Sequence, residues 1–281
     1  MKSRFMEKIS IAQVLTYILL TVGGIIFLTP FYWMFRSSLM DQGQIFEMPP
    51  IWLPNPIRID NFKEALTIMP FNRFFFNTAV IVVFATAGVV LTSSITAFSF
   101  ARMRWPGRDK VFICLLSGMM LPQYATLIPT FLGWKFLGAV GTNLPLIIPS
   151  WFGGGAFYIF LLRQFYMAIP KELDEAAYVD GAGYFRIFVQ IILPLTKPAI
   201  VVVILFSFLH YWNDFLAPVI YLNDVSKYTL TLGLALFSGM YNAQWNLMMA
   251  ASAVVAIPAI IVFLFGQKYF VEGISITGLK G

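Results

Sequence analysis

Charge-free apolar runs constrain this chain more than any motif does. Positions 9–35, 74–101, 111–134, 136–162, 198–213 and 228–267 contain no Asp, Glu, Lys or Arg. A helix needs about 20 mainly apolar residues to cross a hydrocarbon core of about 30 Å. At that length the runs predict six spans, near 11–35, 74–100, 111–133, 137–162, 198–222 and 246–267. The expected fold is all-α: a polytopic integral membrane protein with one transmembrane domain over 1–281. No cleavable signal peptide is evident, because the first run is long enough to span and to serve as an uncleaved anchor.

Only 11% of residues are charged, against about 25% in soluble domains. The single cysteine, Cys114, excludes an internal disulfide framework and a Cys-based metal site. Lying in an apolar run, it is expected to be a small buried hydrophobe. The single histidine, His210, leaves little for His-based catalysis or zinc. The net charge of +6 raises the question of nucleic acid. With both termini cytoplasmic, however, inner segments hold thirteen of the nineteen Lys and Arg, and seven of the thirteen acids. The basic excess is therefore a topology signal of the positive-inside kind, and no nucleic-acid partner is expected.

Between the spans, 37–72 is proline-rich, with one short helix expected from Asp60 as N-cap. Three glycines in WFGGGAF, 151–157, suit close helix approach or a local bend, with a ligand role as the rival. The longest inner segment, 163–197, contains ELDEAAYVDGAGYFRIFVQIILP. Pro170 can occupy a first helical position. Glu172, Asp174 and Glu175 then crowd the N-terminal turns, where the helix dipole favours anions, and Gly181 can stop the helix in the left-handed region. Tyr184, Phe185, Ile187, Phe188, Ile191 and Ile192 follow at helical spacing, and Pro194 is expected to end this second helix. An interfacial helix would favour a basic polar face. The acidic first half better fits an amphipathic element that enters a hydrophobic groove on a partner.

The run Glu175-Ala176-Ala177, Gly181, Ile191 and Leu193-Pro194 resembles the EAA loop of ATP-binding-cassette importer permeases, with every fixed position filled. PPIWLPNP at 49–56, FLHYWNDFLAPVIYL at 208–222 and QKYFVEGISITGLKG at 267–281 are similar to the carbohydrate-importer branch, and within it to the smaller, MalG-like permease. The resemblance implies a type I importer permease fold with a cytoplasmic coupling loop over 166–197. It implies a multi-pass protein of the bacterial or archaeal cell (inner) membrane, surrounded by lipid. The implied partners are a second homologous permease, two ATPase subunits that bind ATP and magnesium, an extracytoplasmic solute-binding protein and a carbohydrate. No cofactor is expected on this chain, which lacks a phosphate-binding Gly-x4-Gly-Lys-Ser/Thr loop.

The resemblance assigns ATPase coupling to Glu175, Ala176, Ala177, Gly181, Phe185, Phe188, Ile191, Leu193 and Pro194. Glu175 is either a partner for a basic ATPase residue or an acid that serves its own helix. Phe185 and Phe188 are either knobs for the ATPase or contacts to neighbouring membrane helices. Trp212, Asn213 and Asp214 supply an aromatic plate and hydrogen-bonding groups suited to a sugar pathway; interface anchoring and helix packing are the rival roles. Glu272 and Gly281 belong to a tail that reaches between the ATPases or is disordered. An intramembrane enzyme would need a convergent polar constellation, and His210 with Asp214 does not make one. A self-contained secondary transporter would show internal repeats and buried intramembrane charges, which are missing here.

Overall fold

The computed structural model describes residues 11–239 and 243–278, with their side chains apart from those of 123 and 270–278. Among these residues every regular element is a helix. The chain divides into two compact units, Met1–Met69 with Phe237–Val255, and Pro70–Leu236 with Ala256–Gly281.

In the first unit, helix α1 (Ile11–Ser38) buries only Arg36, Ser37 and Ser38. A helix apolar on every side is solvated by lipid or by other helices. The proline-rich segment folds back onto its C-terminal end. There the Tyr32 hydroxyl donates to the Trp52 carbonyl, and Arg36 Nε donates to that of Ile51. Helix α2 (Asp60–Thr67) has Ile59, not Asp60, at its cap. Asp60 instead lies in the first turn, where the dipole also favours an acid. Asn61 ties the helix down by donating to the Ser38 and Met40 carbonyls, both at 2.9 Å.

The second unit is built around α3 (Phe71–Arg102). Its buried residues Phe74, Thr78, Ile81, Ala85, Val89, Ser93, Ala97 and Phe100 recur every three or four positions, so one stripe faces the interior. It is followed by α4 (Arg108–Ser117), α5 (Gln123–Phe136) and α6 (Ala156–Ala168), of which α4 and α6 pack against it. Next come α7 (Glu172–Val179) and α8 (Tyr184–Ile187), then α9 (Lys197–Trp212), α10 (Leu216–Tyr221) and α11 (Leu230–Ala235). Helix α12 (Trp245–Gly278) contributes residues to both units.

Among the described residues four stretches are long and apolar enough to cross a bilayer: Ile11–Ser38, Phe71–Arg102, Leu144–Ala168 and Trp245–Tyr269. Two bent pairs bring the number to six if each pair is one span. These are Arg108–Met120 with Tyr124–Phe136, and Tyr184–Leu195 with Lys197–Trp212.

The glycines before α6 both pack and bend. Gly153, Gly154 and Gly155 have φ of 94°, 63° and 102°. A Cβ on Gly154 would meet the Val89 carbonyl oxygen at 2.8 Å, and one on Gly88 would meet Ser150 Oγ at 2.6 Å. Cys114 corrects the sequence expectation: it is exposed on α4. In a chain whose outer surface meets lipid, an apolar neighbourhood in sequence does not imply burial.

Candidate functional site

Helix α7 starts one residue beyond Lys171, not at Pro170. The Asp174 and Glu175 amides both donate to the Lys171 carbonyl, at 2.9 and 3.0 Å, so the helical ladder begins there. Glu172, Asp174 and Glu175 fill the first turns as anticipated. The helix closes on Gly181 at φ +78°. The Gly181 amide donates to Tyr178 O at 3.0 Å and the Ala182 amide to Ala177 O at 2.9 Å, the two bonds of a Schellman motif. Ala182 is buried and Ala177 packs against the same core, which supplies the hydrophobic contact of that motif.

Only Asp174 of α7 is buried. Glu172, Glu175, Ala176 and Val179 lie on the opposite face and are exposed, and Val179 keeps 89% of its surface. Sequence reasoning missed Val179. Its signal was helical spacing, since it stands four positions after Glu175 on the face that looks away from Asp174.

Beyond the turn the two phenylalanines part. Phe185 is 79% exposed, whereas Phe188 is 8% exposed and its ring lies 5.1 Å from that of Phe98. Phe188 therefore anchors α8 in the core of its own unit, the second of the two roles that the sequence left open for it. The Tyr178 and Tyr184 rings meet edge to face at 5.5 Å and brace the two arms. Ile191 and Leu193 pack partly buried on the core, while Pro194 is exposed. Pro194 does not stop the helix where expected. A π-helical turn at Phe188–Ile192 leads into Leu193–Leu195. The wider turn accommodates the missing N–H, and the break comes at Thr196.

A second group was not read from the sequence. Arg102, the last residue of α3, donates from one terminal nitrogen to Asp174 Oδ2 at 3.1 Å. Its other terminal nitrogen donates to the carbonyls of Tyr166 at 2.5 Å and Ile169 at 2.7 Å. These carbonyls close the C-terminal end of α6, where a cation is favoured. The paired side chains are 3% and 12% exposed. Burial pushes the Asp174 carboxyl up, against the downward pull of Arg102. The sequence had placed Arg102 in the basic inner loop and Asp174 among the acids of a helix start. That the two touch depends on how α3, α6 and α7 pack.

The proposed pathway residues are differently disposed. Trp212 is buried between Phe208, stacked at 5.4 Å, and Phe75, edge-on at 6.1 Å. That removes it as an open aromatic plate. Asn213 is exposed and donates to the Leu209 carbonyl at 2.9 Å. Asp214 accepts from the Ala217 amide at 3.3 Å, holding the start of α10. The Glu272 side chain and all of Gly281 lie outside the described residues.

Residues 88–276 match the family described as binding-protein-dependent transport system inner membrane component. The chain is 31% identical to the diacetylchitobiose uptake system permease protein NgcG of Streptomyces coelicolor, covering 93% of this chain and 87% of that one. It is also 31% identical to the sn-glycerol-3-phosphate transport system permease protein UgpE of Rhizobium meliloti, covering 96% and 99%. A crystal structure of a bacterial ABC transporter that imports the acidic polysaccharide alginate shares the fold, with a TM-score of 0.79 at 24% identity. That match covers 92% of this chain and 96% of the other. The helical architecture, the motif-bearing turn and these matches agree, and the chain belongs to the binding-protein-dependent transport system inner membrane component family.

Proposed function

We propose that this permease pairs with a second, related permease to enclose a pathway for a carbohydrate. A solute-binding protein delivers the sugar from outside, and two ATPase subunits below bind ATP and magnesium and supply the work. The observation that carries this reading is the α7–α8 turn. It exposes Glu175, Ala176, Val179 and Phe185 on a base held in the core by Ile187 and Phe188. Such a face fits a cleft on each ATPase: an apolar knob for packing and acids for a basic rim. When ATP closes the ATPase pair, the docked turn moves with it and the permease halves rotate as rigid bodies between two packed states. ATP biases the equilibrium by its differential affinity for them.

The diacetylchitobiose relative favours an oligosaccharide cargo, and the glycerol-phosphate relative favours a small phosphorylated polyol. The fold of an alginate importer leans the choice toward sugars. Reconstituted complex is expected to hydrolyse ATP several-fold faster with a binding protein loaded with an oligosaccharide such as diacetylchitobiose. Stimulation by glycerol 3-phosphate alone would replace the cargo and leave the permease role intact.

A further inference from the structure

We propose that the Arg102–Asp174 ion pair is the link that carries movement of α7 into α3 and α6, and that its role is to hold register and not to add stability. The proposal rests on the importer reading above. Asp174 is the one buried side chain of α7, the helix that bears Glu175, Ala176 and Val179. A push on the exposed face therefore reaches the core through Asp174, beside the apolar contact of Ala177 and the Gly181 turn. Asp174 meets one terminal nitrogen of Arg102, and the other holds the last carbonyls of α6. A single guanidinium thus joins three elements, with α3 gripped at its final residue. A lysine has one compact charged group and cannot present this fork.

The energetics argue against a purely stabilising role. Taking two charges out of water costs about as much as their attraction returns, so buried pairs are poor stabilisers, and holding register is their best-attested use. Here Arg102 Nε and Asp174 Oδ1 are buried without a hydrogen-bond partner, so the pair is also incompletely satisfied. Burial outweighs Arg102 in setting the direction of the Asp174 shift, which points the same way.

The test uses the whole complex with its ATPases and loaded binding protein. Membrane abundance, ATPase co-purification and solute transported per ATP would be measured for Asp174→Asn, Arg102→Gln and Arg102→Lys. Each of the first two leaves the other charge buried and unpaired, so abundance is expected to fall, while ATPase bound per permease stays within about twofold of the unmodified protein. Their transport per ATP should fall about tenfold. Arg102→Lys keeps the charge but not the fork, and should lose about threefold. An unchanged ratio in Asp174→Asn and Arg102→Gln overturns the proposal. So does a fall in uptake that only tracks a fall in abundance, which makes the pair a folding element. If the unmodified complex fails to couple hydrolysis to uptake, the importer reading fails and this proposal goes with it.

Discussion

Phe185 and Phe188 stand three positions apart, one exposed and the other buried, so the same substitution has opposite consequences. Phe185→Asp alters a mostly exposed side chain, a change worth within about 0.5 kcal/mol of stability. The permease should remain abundant while ATPase co-purification falls about tenfold. Phe188→Asp puts a charge beside Phe98 in the core, at a cost of several kcal/mol. It should lower membrane abundance before docking can be measured. Gly181→Val has open space for its side chain, with no atom within 4 Å of an added Cβ, but must adopt φ +78°. Strain of about 1–3 kcal/mol at that turn should misdirect Phe185 and reduce uptake more than abundance. Glu175→Lys, at an exposed position, should be milder, since such ion pairs contribute about 1 kcal/mol or less. Quantitative immunoblots and uptake assays separate these four outcomes.

At the scale of elements, α3 organises the second unit because it can be approached closely. Gly88 lets the segment at Ser150 and Trp151 lie against it, and Gly154 meets Val89 from the facing side. Gly88→Ala is therefore expected to destabilise the permease by about 1–3 kcal/mol through overpacking. Gly133, within α5, has no neighbouring atom within 4 Å of an added Cβ. Gly133→Ala should be neutral or stabilising by up to about 1 kcal/mol, from helix propensity. Thermal unfolding in detergent would compare the two, and equal midpoints would contradict the packing argument. The α9–α10 break behaves differently, because Asp214 restores the lost backbone bonding at the start of α10. An acid placed there by helix geometry serves the chain before it can serve a solute.

For the whole molecule, we propose six spans with both termini cytoplasmic, on the asymmetry of Lys and Arg between loops. The exposed Cys114 must first be removed as Cys114→Ser. Single cysteines would then replace Lys63, Arg104, Asp180 and Ser226, all exposed. An impermeant thiol reagent on intact cells is expected to label only the variants at 63 and 226. Labelling at 104 or 180 would reverse the orientation.

Membrane class, the number of apolar runs and the position of the motif-bearing turn were legible in the sequence. Each depends on local composition or on the backbone of a few neighbours. Gly181 is the clearest case, since a residue that ends a helix at positive φ can be named from its type alone. The unequal exposure of Phe185 and Phe188, the burial of Trp212 and the exposure of Cys114 were not legible. An apolar side chain in a membrane protein has two apolar places to go, lipid or core, and hydropathy does not distinguish them. Nor could spacing join Arg102 to Asp174, which lie 72 positions apart. Their pairing exists only because α3, α6 and α7 bring three chain ends to one place. Tertiary packing therefore decided which acid of α7 is buried and which stay exposed.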